Sequence, residues 1–328
     1  MKSFFNWITL GIITLPSLMV GNEYHTPTKL CNSMPSGCCY PIEDECEEYI
    51  CIENSYYQDL NPCCLRGVWL PEAPPLFLPL KADPRQLIAS VGSRFHDDVF
   101  GTYVVDVSYF DTAPIYRWFN AFFSGDQLQL DLDGALWAIF QPMKPSSPLV
   151  NADYYGGISL NYSYKCWSFR LRGFHISSHI GDEFLIDHPD FDRKNPSAEY
   201  IDLIASYNVC DDLRFYAGAG YIPHSDPTFA VRSLYAQGGA ELYLPWFRFI
   251  SFCNMLEGRP FFAMNFALWE NNEWDLDQTY VIGYEVGKLY GLERKLRLYA
   301  EYHDGFSCEG QFCKYRTSYV SLRVSYGF

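Results

Sequence analysis

The stretch "SYVSLRVSYGF", residues 318–328, decides how this chain is read. On an extended backbone Val320, Leu322, Val324, Tyr326 and Phe328 share one face, and Tyr319, Ser321, Arg323, Ser325 and Gly327 share the other. A half-buried strand of a soluble sheet shows the same alternation. The fold therefore turns on what the apolar face meets.

The pattern recurs upstream. "QLQLDLDGALWAIF" (127–140) sets Leu128, Leu130, Leu132, Leu136, Ala138 and Phe140 against Gln127, Gln129, Asp131 and Asp133. "KLRLYAEY" (295–302) sets Leu296, Leu298, Ala300 and Tyr302 against Lys295, Arg297, Tyr299 and Glu301. One face is apolar and the other carries both signs of charge, with Arg94, Arg214, Glu241, Glu285 and Arg323 added from other segments. A soluble sandwich would turn that charged face to water. A membrane barrel would enclose it as a luminal network of Arg94, Asp131, Asp133, Arg214, Glu241, Glu285, Arg297 and Arg323, where opposite charges pair.

Composition favours the barrel. Aromatic residues make up 18% of the chain, with 26 Tyr, 25 Phe and 8 Trp. Beyond the start, no run is long and apolar enough for a spanning helix. A net charge of −15 argues against a nucleic-acid partner, since phosphate contact needs a positive footprint. Twelve alternating segments are expected near 87–95, 101–110, 126–140, 153–164, 166–180, 198–208, 213–222, 234–244, 260–269, 279–287, 295–303 and 316–328. The reading is an all-β, antiparallel transmembrane β-barrel of about 12 strands in a bacterial outer membrane. With both chain ends on the periplasmic side, the longer connections 181–197, 223–233, 270–278 and 304–315 face the exterior. The segment 245–259 is longer than this pattern requires.

The front of the chain divides into three. Residues 1–21, with Lys2, an apolar run, Pro16 and Gly21, read as an export signal. Residues 22–67 are acidic and hold seven of the twelve cysteines, which in an exported chain suits a periplasmic disulfide framework and leaves room for disulfide-linked envelope partners. Residues 68–86 carry five prolines and read as an extended connector, with the barrel at 87–328. Cys308 and Cys313, within one external loop, are expected to form a staple.

Residues 77–85 ("FLPLKADPR"), 149–157 ("LVNADYYGG"), 174–184 ("FHISSHIGDEF"), 216–222 ("YAGAGYI") and 310–312 ("GQF") resemble a group of exported bacterial proteins, the "domain of unknown function 1207" family. The resemblance implies an outer-membrane barrel and brings no activity with it. The terminal Phe likewise resembles the carboxy-terminal signature by which such barrels meet the barrel-assembly machinery.

One segment carries candidate chemistry. In "RLRGFHISSHIGDEF" (170–184), Leu171, His175, Ser177 and His179 share the face of Trp167 and Phe169, which is the lipid-facing one unless a bulge at Gly173 turns the cluster inward. The arrangement is similar to the His-x-Ser pair on the lipid-facing wall of outer-membrane phospholipase A and, more loosely, of lipid A deacylases. That likeness implies Ser177 as nucleophile and His175 as general base, their Cβ atoms ~6–7 Å apart from the strand rise. Glu199, or Asp182 and Glu183, would orient the imidazole. The Asn-Gly that follows the phospholipase serine is replaced here by Ser178-His179. No metal or other cofactor is required, and a Ca²⁺ site at Asp182 and Glu183 has no EF-hand spacing behind it. The primary expectation is a structural or small-solute pore protein of the envelope, with outer-membrane lipid as partner; the alternative is a lipid hydrolase using Ser177 and His175.

Overall fold

The computed structural model describes residues 66–251, 255–288 and 294–328. The expected export signal and all but the last two residues of the expected cysteine-rich segment lie outside the described residues. Fourteen strands form one antiparallel sheet: β1 (Gly67–Trp69), β2 (Ala89–Asp97), β3 (Gly101–Phe119), β4 (Gln127–Phe140), β5 (Leu149–Tyr164), β6 (Trp167–Ile180) and β7 (Ser197–Cys210) come first. They are followed by β8 (Leu213–Ser225), β9 (Leu234–Tyr243), β10 (Phe249–Ser251), β11 (Leu256–Trp269), β12 (Leu276–Lys288), β13 (Lys295–Phe306) and β14 (Arg316–Gly327). Strand β14 pairs with β2 and β3 with β4, so the sheet closes on itself. With β1 appended to β3 and β10 appended to β11, twelve strands remain in the ring. Closure leaves the twelve-strand ring with no first or last strand, the condition for placing strands in hydrocarbon.

The opening stretch lies as its alternation requires. Val320, Leu322, Val324 and Tyr326 are exposed on the outside, whereas Ser321, Arg323 and Ser325 are buried within. The fractions are decisive at neighbouring positions: Leu322 is 56% exposed and Ser321 0%. Leu171, Ile201, Leu203, Ile282, Leu296 and Leu298 continue the outward apolar band. No described helix is long and apolar enough to cross a membrane. Trp69, Phe122, Phe123, Trp246 and Phe247 project at the rim of the shorter turns, the position of an interfacial aromatic girdle. The unexplained 245–259 connection contains Trp246, Phe247 and β10, which folds back onto the start of β11 through Ile250 opposite Glu257.

The proline-rich segment departs from the expected connector. After β1 it passes into the lumen and packs against the wall all round. Phe77 and Leu80 are buried with Ile204 and Tyr216, and Ala82 is buried with Phe261, Ala263, Val281 and Tyr299. Arg214 donates to the carbonyls of Leu78 and Pro79, and Arg117 donates to that of Pro74. Prolines suit this path because an extended strap with few N–H groups leaves fewer donors to satisfy inside a closed wall. Composition alone cannot separate such a strap from a solvated linker.

Candidate functional site

The luminal face holds a dense set of ion pairs. Arg94 meets Asp106 at 2.5 Å and Glu309 at 3.0 Å, and Arg323 meets Asp106 at 2.6 Å and Glu301 at 3.3 Å. Arg297 bonds Glu285 at 2.8 Å, and Glu241 receives both Lys81 at 2.9 Å and Arg214 at 3.4 Å. Asp131 accepts from Gln129 and Asn161, and Asp133 from Thr112 and Ser159. All eight residues expected inside are buried there. Sequence reading placed Arg172 and Glu301 on inner faces by parity but left out Lys81, Arg85, Asp106, Asp202 and Glu309. Asp106 and Asp202 share the parity of their strands' inner faces and could have been found that way. Lys81 and Arg85 had no such signal, because a strap has no pleat.

From the other end the connection 307–315 folds inward. Phe312 is buried against Phe100, Val104, Ile139, Val150 and Ile180. Glu309 reaches Arg94; burial by itself would raise this carboxyl, but Arg94 and Arg85 hold it at about 2. Cys308 and Cys313, expected as a staple, are free thiols. The loop is closed instead by backbone bonds, Phe312 N–H to Glu309 O at 2.8 Å and Ser307 N–H to Tyr315 O at 2.9 Å. Burial pushes the Cys308 thiol well up and Cys313 to about 12.

The second cluster sits on the outer wall near the rim of the longer connections. Strand β6 pairs with β5 and β7 without a register shift, so there is no bulge at Gly173 and His175, Ser177 and His179 stay on the outward face. Gly181 follows the strand, at a point where a Cβ would lie 1.9 Å from the Leu149 carbonyl oxygen and only glycine fits. Register places His175 opposite Glu199 and Ser177 opposite Ser197. His175 Nδ1 lies 3.1 Å from Glu199 Oε1, and the other carboxylate oxygen lies 2.6 Å from His224 Nδ1 on β8. His175 Nε2 lies 3.3 Å from Ser197 Oγ.

The structure thus brings together His175 and Glu199, as expected, but the hydroxyl beside the imidazole belongs to Ser197. Ser177, on the same face of β6, makes no described hydrogen bond to His175. The reason is geometric. Ser197 is the diagonal neighbour of His175, with Glu199 directly opposite. Diagonal neighbours stand about 7–8 Å apart, within reach of a long side chain, and with Nδ1 on Glu199 the ring presents Nε2 to Ser197. Only the register of β6 against β7, which no single strand encodes, could reveal Ser197. Asp182 and Glu183 form the acidic first turn of α1 (Asp182–Asp187), where they complement the helix N-terminus. No group of three or more His, Cys, Asp or Glu side chains placed to hold a metal ion occurs among the described residues.

The sequence pattern of a family described as "Protein of unknown function (DUF1207)" matches residues 47–328. The chain belongs to the DUF1207 family. No curated protein matches it. Among solved structures, this DUF1207 barrel is similar to the Salmonella typhi outer membrane phospholipase dimer with bound calcium. The two are 10% identical, with 75% of this chain and 93% of that chain covered and a TM-score of 0.50. Outer membrane phospholipase A from Escherichia coli is 10% identical over 73% and 92% of the two chains, at a TM-score of 0.49. LpxR from Salmonella typhimurium is 13% identical over 73% and 99% of the two chains, at a TM-score of 0.37. At these identities the likeness establishes the fold, an outer-membrane β-barrel, and leaves the chemistry to the residues.

Proposed function

We propose that this DUF1207 protein is an outer-membrane lipid hydrolase whose reacting groups are Ser197, His175 and Glu199. The observation that carries the reading is the single imidazole held between a hydroxyl and a carboxylate on the lipid-facing wall, at 3.3 Å and 3.1 Å. Glu199 accepts from Nδ1–H, which leaves Nε2 free to take a proton. As Ser197 Oγ attacks an ester carbonyl, its proton passes to Nε2; the imidazolium then protonates the departing alkoxide, and water hydrolyses the acyl-serine by the reverse relay. His224, on the far oxygen of Glu199, fixes the carboxylate in position. The membrane supplies the substrate directly, since lipid esters lie at headgroup depth beside a wall that is apolar below this cluster. Outer-membrane phospholipase is the name of a structural neighbour with the same fold, which is consistent with this reading.

A plugged lumen weighs against the pore reading. The strap 70–88 crosses the barrel, and the 307–315 loop fills part of the other end.

The experiment is hydrolysis of a fluorogenic phospholipid, and separately of lipid A, by refolded protein in mixed micelles. Ser197→Ala and His175→Ala are expected to abolish turnover, a loss of at least about 10³-fold. Ser177→Ala is expected to leave most of it. Turnover lost in Ser177→Ala and kept in Ser197→Ala would transfer the nucleophile to Ser177. No turnover by the wild type on either lipid overturns the proposal.

A further inference from the structure

Beside the strap, the lumen holds a cavity of about 210 Å³. Asp83, Pro84 and Arg85 of the strap line one side of this cup. One side of the wall is aromatic. Phe174 and Tyr200 stack with centroids 4.9 Å apart and rings 4° from parallel, and Tyr235 and Trp269 stack at 4.4 Å and 16°. These rings come from inward positions of β6, β7, β9 and β11, so they form an arc at one depth. Beside them the Tyr155 hydroxyl, on a residue 6% exposed, has no hydrogen-bond partner.

The charges on the lining do not balance. Of its four carboxylates, Asp153 is bridged by Arg85 and Asp202 by Arg172. Asp83 and Asp277 take part in no described ion pair. Each accepts one backbone N–H, from Arg85 at 2.9 Å and from Phe306 at 2.7 Å. Two carboxylates outside any described ion pair, next to an aromatic arc, disfavour anions. A cation gains from both, through the ring quadrupoles and through the carboxylates in a low-dielectric enclosure. The chain's net charge of −15 adds long-range attraction of the same sign.

We propose that the cup is a binding site for small cationic molecules bearing a planar aromatic ring, entered from the rim of the longer connections. The ring lies against the Tyr235–Trp269 stack, and the cationic group is directed to Asp277. The cavity borders the outer-wall cluster at Ser197, but its aromatic arc and Asp277 lie outside that cluster and its test reads binding, not hydrolysis.

The test uses three indoles of matched size: tryptamine (cation), tryptophol (neutral) and indole-3-acetate (anion). Binding is measured by titration calorimetry on refolded full-length protein in phosphatidylcholine nanodiscs, with empty nanodiscs as the control. Tryptamine is expected to bind at least about tenfold more tightly than indole-3-acetate. Asp277→Asn should remove the difference between tryptamine and tryptophol, and Trp269→Ala should weaken both by about tenfold. Equal binding of all three indoles by the wild type, or none beyond empty nanodiscs, overturns the proposal without recourse to a variant. So does tryptamine binding that survives Trp269→Ala unchanged.

Discussion

Replacing Glu241 by Gln removes the main electrostatic anchor of the strap. The carboxylate accepts the Lys81 backbone N–H at 2.8 Å and its ammonium at 2.9 Å, with Arg214 Nη1 at 3.4 Å. All three side chains are less than a tenth exposed. Burial alone would lower the Lys81 pKa, yet Glu241 beside it raises it above the usual ammonium value. Glutamine keeps the shape but leaves two buried cations facing a neutral amide, one end of which is itself a donor. Breaking a buried pair in this way costs about 3–5 kcal/mol. Glu285 also lies near enough to favour the ammonium, so the lower figure applies. About 3 kcal/mol is roughly a hundredfold in the docking equilibrium of the strap. Hydrogen exchange of refolded protein, read by mass spectrometry on peptides covering 77–83, is expected to speed up by about that factor. Lys81→Met, which leaves Glu241 paired with Arg214, should have a smaller effect. Unchanged protection in Glu241→Gln would refute the anchoring role, whatever the barrel's global stability.

Four further outcomes follow from the same geometry. Planar-bilayer recordings of wild-type protein should show a closed barrel, and Glu241→Gln should show transient openings; steady wild-type conductance would contradict the plugged lumen. Leu322→Arg, on the outward face, should lower stability to urea in liposomes by about 2–4 kcal/mol near the bilayer midplane, whereas Leu322→Val should cost about 1 kcal/mol or less. Glu309 has a folded pKa of about 2 against an ordinary value of 4.5, so it adds stability above the ordinary value that is lost as pH falls towards about 2. Protection of the 307–315 loop should decline across that window, and Glu309→Gln should flatten the decline. Cys308 and Cys313, their thiol pKa values raised by burial, should resist alkylation near neutral pH in the folded protein while exposed Cys210 reacts. Equal labelling of all three would contradict the burial.

What the sequence by itself determined is the barrel. Its signal has period two, and every strand carries it independently, so all twelve expected segments correspond to ring strands and Arg323 and Leu322 fall on opposite sides as their parity requires. The same parity put His175 outside and Arg172 inside. Strand ends were less legible: β3 runs on to Phe119 through Pro114, beyond the expected end at 110, because its far half is paired by β1 and β4. Two things only the tertiary structure decided. Which serine stands beside His175 depends on the register of β6 against β7, a relation between strands that alternation within either one does not carry. Whether prolines 71–84 span solvent or cross the lumen depends on a closed wall being there to receive them, with Glu241 and Arg214 aimed inward at the height of Lys81. Periodicity is local and survives in the primary sequence; register and enclosure exist only once the sheet has closed.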